Sequence, residues 1–138
     1  MALGSKGLRY NTLQTHYLRG TLTPSAASIT LGVIPPGSII IGAGVVISTA
    51  FNAASTNVID IGTTADPDGL ATDLAGGTIG LIVWDELATS NDLYTTTDVT
   101  IVASYAQTGT AATAGVGHVF VQFIPVDPAI EPTGAEAT

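Results

Sequence analysis

Apolar and polar residues alternate with a period of two along most of this chain, which is the pattern of half-buried β-strands. The longest example follows Pro35-Pro36-Gly37, a break that fixes backbone torsions and removes ladder donors. Beyond it, Ile39, Ile41, Ala43, Val45 and Ile47 share one face. Ile40, Gly42, Gly44, Val46 and Ser48 share the other, and its two glycines leave it thin. The spacing predicts a strand packed on its bulky face and closely approached on its bare one.

Further strands follow by the same rule. Leu13 to Leu22 is a weaker candidate, with Leu13, Thr15, Tyr17, Arg19 and Thr21 opposed to Gln14, His16, Leu18, Gly20 and Leu22. Ile29, Leu31 and Val33 alternate with Ser28, Thr30 and Gly32. Val58 to Gly62 is a short strand, and Asp66-Pro67-Asp68-Gly69 is a turn signal. Leu70 to Leu74 reads as one helical turn, ended by Gly76-Gly77. Thr78 to Trp84 has Ile79, Leu81 and Val83 on one face, and Asp85 to Thr97 is a polar connection. Val99, Ile101, Ala103 and Tyr105 mark another strand, and Gln107 to Gly115 an exposed loop. In Val116 to Ile124, Val119, Val121 and Phe123 oppose His118, Phe120, Gln122 and Ile124. Six to eight short strands, turn signals between them and almost no period of 3.6 predict an all-β fold, a jelly-roll-like β-sandwich. The 138 residues form a single domain: an N-terminal arm and first strand (1–20), a sandwich body (21–125), and a short acidic, proline-marked tail (126–138) expected to be mobile.

Composition changes the picture in one respect. Hydrophobic residues make up 46% and charged residues 10% of the chain, so disorder is excluded, but so is an ordinary charged surface. A small domain this poor in charge must expose Ala, Thr, Ser and Gly or cover its outside with partners, which points to self-association. Cysteine is absent, so no disulfide framework or thiolate metal site is expected. No apolar run reaches the length of a membrane helix, and the first residues lack the apolar core of a secretory signal. The charge is asymmetric. Lys6, Arg9 and Arg19 are the only cations, whereas the eleven acids run from Asp60 to Glu136. A body without lysine or arginine cannot clamp phosphates, so nucleic acid is not an expected partner.

Candidate chemistry is sparse. Asp66, Asp68 and Asp73 raise a calcium site, but Gly69 comes too early for an EF-hand loop and no bidentate glutamate follows, so a turn carrying solvated acids is the plainer reading. Gly42-Ala43-Gly44 continues into a strand and is no dinucleotide loop. His16 and His118 lack a nucleophile elbow or a metal-pair spacing. Asp85 and Glu86 are adjacent, so on a strand they point to opposite faces and cannot flank one glycosidic bond. Tyr10, Tyr17, Tyr94, Tyr105 and Trp84 are scattered and form no platform for sugars or bases. The expectation is no enzyme, no cofactor and no metal.

Several segments carry a resemblance: Ile34-Pro-Pro-Gly-Ser-Ile-Ile40, Thr49-Ala-Phe-Asn52, Asn57-Val-Ile-Asp-Ile-Gly-Thr63, Asp66-Pro-Asp-Gly69 and Tyr105-Ala-Gln-Thr-Gly-Thr-Ala-Ala-Thr-Ala-Gly115. Together they resemble the small β-structured virion proteins of tailed bacteriophages, above all the capsid decoration or cement proteins. The resemblance spans roughly residues 30–125 and consists of strand and turn motifs. It implies a jelly-roll body, homotrimers on the outside of an icosahedral head, the major capsid protein as partner, and no enzymatic activity. A tail or head-fibre component is the alternative within the virion, and a carbohydrate-binding sandwich the alternative outside it. Absent cysteine and low charge suit a rigid part made in the host cytoplasm. The placement of every cation in the first twenty residues points to Lys6, Arg9, Tyr10 and Arg19 as contacts to the capsid or a neighbouring subunit, with Leu3, Leu8 and Leu13 as apolar support.

Overall fold

The computed structural model describes residues 15–84 and 93–126. Among these residues eight strands follow one another: β1 (His16–Leu22), β2 (Ser28–Ile34), β3 (Ser38–Thr49), β4 (Thr56–Thr63), β5 (Ala71–Ala75), β6 (Gly80–Val83), β7 (Val99–Thr108) and β8 (Val116–Pro125). They form two antiparallel four-stranded sheets, ordered β1-β8-β3-β6 and β2-β7-β4-β5. This is the strand order of a jelly roll, in which consecutive strands cross between the two packed sheets except at the β4–β5 pair. The core lies between them, built from Leu22, Ile34, Ile40, Val45, Ile47, Ile59, Ile61, Leu70, Ile101, Val119 and Val121, all nearly or fully buried.

The registers define two ends. Leu22, Ile47 and Gly80 lie level with or next to Gly117, and Thr56 pairs with Thr108. The loops 23–27, 50–55, 76–79 and 109–115 therefore gather at one end, called the upper end below. His16 pairs with Phe123, Ser38 with Pro125 and Thr63 with Ile101, so the turns 35–37 and 64–70 sit at the lower end.

Strand count and turns match the sequence pattern, but three local expectations fail. In β3 the register shifts between Ile40 and Gly42. Ile41 is an inserted bulge residue, so Ile40 is buried while Ile39 and Ile41 point outward, and only Ala43, Val45 and Ile47 follow the expected phase. In β2 Leu31 is the inserted residue, followed by Gly32, whose φ of 151° favours glycine, and the shift turns Val33 outward and buries Ile34. Leu70 to Leu74 is not a helical turn: residues 71–75 are β5. Asp73 adopts a left-handed φ of 54°, and its N–H donates to Asp60 Oδ1 at 2.8 Å, which bulges the strand and lets Ala71 and Leu74 both face the core. Thr95 is buried, its Oγ1 accepts from Ser38 N (3.0 Å) and donates to Pro35 O (2.8 Å), and its backbone N–H donates to Ser38 O.

Candidate interaction surface

The closest expectation to test is the cation set. Arg19 lies within β1, part of the body, on the outward side opposite Phe120. It forms no ion pair among the described residues. Lys6, Arg9 and Tyr10, with Leu3, Leu8 and Leu13, lie outside the described residues, as do Asp85, Glu86 and the tail from 127 on. The described body thus sets one cation against Asp60, Asp66, Asp68, Asp73 and Asp98.

The acids do not converge. Asp66 and Asp68 sit on the lower turn, which folds over Gly62 through Thr63 N to Asp66 O (2.9 Å) and Gly69 N to Asp66 O (3.0 Å). Asp73 is on β5 beside Asp60. Among the described residues no three His, Asp or Glu side chains stand close enough to hold one metal ion. A cleft of about 320 Å³ opens between this turn and residues 94–100, lined by Thr63, Thr64, Leu70, Tyr94, Thr95 and Asp98. The histidines lie on opposite faces of one sheet. His16 faces inward and stacks on Phe123 with ring centres 5.6 Å apart. His118 faces outward, bridging Thr21 Oγ1 (3.2 Å) and Ser48 Oγ (3.3 Å). They cannot act on one substrate.

What the structure does assemble is an apolar sheet face. On the outer side of β1-β8-β3-β6 the registers align Tyr17 with Gln122 and Gly42, Arg19 with Phe120, Gly44 and Val83, and Thr21 with His118, Val46 and Leu81. Val46, Leu81 and Val83 are 40%, 62% and 56% exposed, and Ile79, just before β6, is 67% exposed. The bare face expected of Gly42 and Gly44 is the one approached closely: a Cβ on Gly44 would stand 2.9 Å from Phe120 Cζ, and one on Gly42 2.9 Å from Gln122 Oε1. Phe120 and Gln122 therefore lie flat over the glycines, and the face stays smooth. Arg19 is its only charged side chain among the described residues.

The upper end is a second distinctive surface, with no charged residue in its four loops. It is held rigidly. Asn52 Oδ1 accepts from Thr113 N (2.8 Å) and Ala114 N (3.0 Å), Asn57 Oδ1 from Ala53 N (2.9 Å) and Tyr105 OH (2.6 Å), and Gln107 Oε1 from Ala112 N (2.7 Å). Beneath them Phe51 stacks on Tyr105 with ring centres 4.1 Å apart. Residues 51–57 and 105–115, far apart in sequence, thus meet at this end. Burial pushes the Tyr105 phenol above its ordinary value of 10.0.

Comparisons bear on the fold. The chain shares its architecture with chains of three phage capsids. One is in the capsid asymmetric unit of cyanophage Pam1, at 18% identity and a TM-score of 0.59, covering 80% of this chain and 84% of that one. A second is in the acidic stable capsid of Helicobacter pylori bacteriophage KHP30, at 12% identity and a TM-score of 0.61, covering 80% and 86%. A third is in the capsid of Ralstonia phage GP4, at 18% identity and a TM-score of 0.61, covering 83% and 84%. No protein-family model matches the chain, and no curated protein sequence does.

Sequence reasoning placed Ile79, Leu81 and Val83 on one face without finding that the face is exposed. A usable signal was present: Ile82 and Trp84 make the opposite face apolar too, and these two pack against the core. A strand apolar on both sides, at a sheet edge, has one apolar side left over.

Proposed function

We propose that this chain is a virion structural protein of a tailed phage, a decoration or cement protein that binds the outside of the head as a trimer and stabilises it. The observation that carries the reading is the smooth, apolar, nearly uncharged outer face of a jelly-roll sheet, in a fold shared with chains of phage capsids. A monomeric soluble domain rarely leaves such a face open, because exposed apolar patches favour association.

The role involves no catalytic step. A protein that binds only the assembled shell stabilises it by mass action, about 2.7 kcal/mol per site at a free concentration one hundred times Kd. A rigid sandwich suits this, since a stiff binder loses little conformational entropy on docking. The major capsid protein is the partner, and Lys6, Arg9 and Tyr10 of the arm supply contacts to it or to the neighbouring subunit.

The test is sedimentation of the purified protein with heads that lack it. Saturable binding, with heads then surviving a higher temperature, is the expected result. Binding to tails, or to glycans with no affinity for heads, would overturn the reading. Deleting residues 1–12 is expected to weaken head binding while the body stays folded, and exposed ion pairs in the arm would make binding weaken as salt rises.

A further inference from the structure

Three of the outer edges of the two sheets are guarded. β1 and β2 lie against each other along one side of the sandwich. β5 is bent at Asp73, whose left-handed backbone and carboxylate blunt its edge. β6 alone carries no charge, proline or bulge. Among the described residues no strand pairs with its outer edge. The backbone there is turned outward. Trp84 N–H donates to Ala43 O at 2.9 Å, in step with the β3–β6 register. In an antiparallel strand the N–H and C=O of one residue point one way and those of the next residue the other. Gly80 and Ile82 therefore face β3, whereas Leu81 and Val83 hold their N–H and C=O toward the open edge.

We infer that β6 pairs with β6 of a second copy, antiparallel and about a twofold axis at Leu81, so that the two outer sheets run on as one. The edge is self-complementary in this register. Leu81 lies opposite its own mate and exchanges two N–H···O bonds with it, and Val83 lies opposite Ile79 of the other copy. The exposed side chains of Ile79, Leu81 and Val83 all gain cross-strand partners. An axis at Ile82 would instead pair Leu81 with Val83 and leave Ile79 uncovered. Charge does not oppose the contact. Arg19 stands on β1, at the far edge of the sheet. The two guanidinium groups are thus seven strand spacings apart, about 34 Å, far beyond the ~8 Å screening length at physiological salt.

The contact is short, well under the ~800 Å² per partner of a standard interface, so it is weak between free chains. Copies held side by side on a surface meet at millimolar effective concentrations, at which a weak edge contact fills. The apolar outer face then continues across the axis as one wider platform. The inference goes beyond the head-binding reading, and it uses a sheet edge rather than a threefold axis, so it holds or fails separately.

The experiment is disulfide trapping of the full chain, which has no cysteine of its own. Single-cysteine variants are oxidised mildly at submillimolar concentration and read on non-reducing gels, with circular dichroism to confirm that each keeps its sheet spectrum. In the inferred register the Leu81 Cα atoms of two copies stand about 5.5 Å apart, within disulfide reach. The two Val83 positions are displaced by four residues, about 13 Å along the strand, and are out of reach. Leu81→Cys is expected to form covalent dimers at least about tenfold faster than Val83→Cys or Ile79→Cys, and the double variant Ile79→Cys with Val83→Cys is expected to match it. Val83→Pro removes an N–H that the β3 ladder does not use, so adding it to Leu81→Cys is expected to keep the fold and slow trapping at least about tenfold. Equal rates for Leu81→Cys and Val83→Cys, or trapping that survives Val83→Pro, overturn the strand pairing. A chain that binds heads but does not trap through Leu81→Cys overturns this contact and leaves the decoration role standing. Trapping in a chain with no affinity for heads supports the contact and removes that role.

Discussion

Replacing Ile40 and Ile41 separately by alanine tests the bulge that sets the inner face of β3. Ile40 is 2% exposed and sits opposite Phe123, whereas Ile41, one residue on, is 42% exposed. Ile40→Ala removes three carbons from the core, about 2.4 kcal/mol of transfer free energy at ~0.8 kcal/mol per carbon. The cavity left in a close-packed sandwich brings the expected loss to about 2–5 kcal/mol. Ile41→Ala gives up only strand propensity and partial cover, about 1 kcal/mol or less. At roughly 4 °C per kcal/mol for a domain of this size, the expected falls in Tm are about 8–20 °C and at most about 4 °C. Thermal and urea unfolding followed by circular dichroism would measure both, at high dilution so that self-association does not contribute. Equal losses, or a larger loss for Ile41→Ala, would refute the register and restore the uninterrupted alternation of residues 39–47.

Gly115→Ala is expected to lose about 2–4 kcal/mol in urea unfolding, because φ is 148° and a Cβ would run into the buried Phe51 ring, 2.7 Å from Cε1. Tyr105→Phe should lose about 1 kcal/mol at neutral pH with its bond to Asn57, and should also flatten the alkaline limb of the stability curve. The sign follows from the raised phenol: the folded protein holds the proton longer than the unfolded chain, so this stabilisation is complete below pH 10.0 and drains away as pH rises through the higher folded value. An unchanged alkaline limb in Tyr105→Phe would contradict that assignment.

The architecture was largely legible because punctuation and period agree. Pro35-Pro36-Gly37 and Asp66-Pro67-Asp68-Gly69 each turn the chain where expected, and β7 and β8 show an unbroken alternation that matches their burial. The failures share one physical cause. A bulge shifts the phase of a strand by one residue, and its sequence trace is a glycine such as Gly32 or Gly42, or nothing at all. Leu70, Ala71 and Leu74 have helical spacing, yet a bulge at Asp73 also brings residues at that spacing to one side. Thr95 was hidden because a buried threonine whose hydroxyl is satisfied looks, in sequence, like any loop threonine. The interaction surface was half legible. Alternation shows that a strand has two faces but not which one is buried, so Ile79, Leu81 and Val83 could be grouped before their exposure was known.

A density map of the intact virion tests the central claim most directly. The account expects the β-sandwich on the outer surface of the head, in rings of three, with the apolar face around Leu81 covered by a neighbouring subunit or by the shell. Density for the chain in the tail, or inside the shell, would contradict the decoration role, whatever the fold has in common with capsid chains.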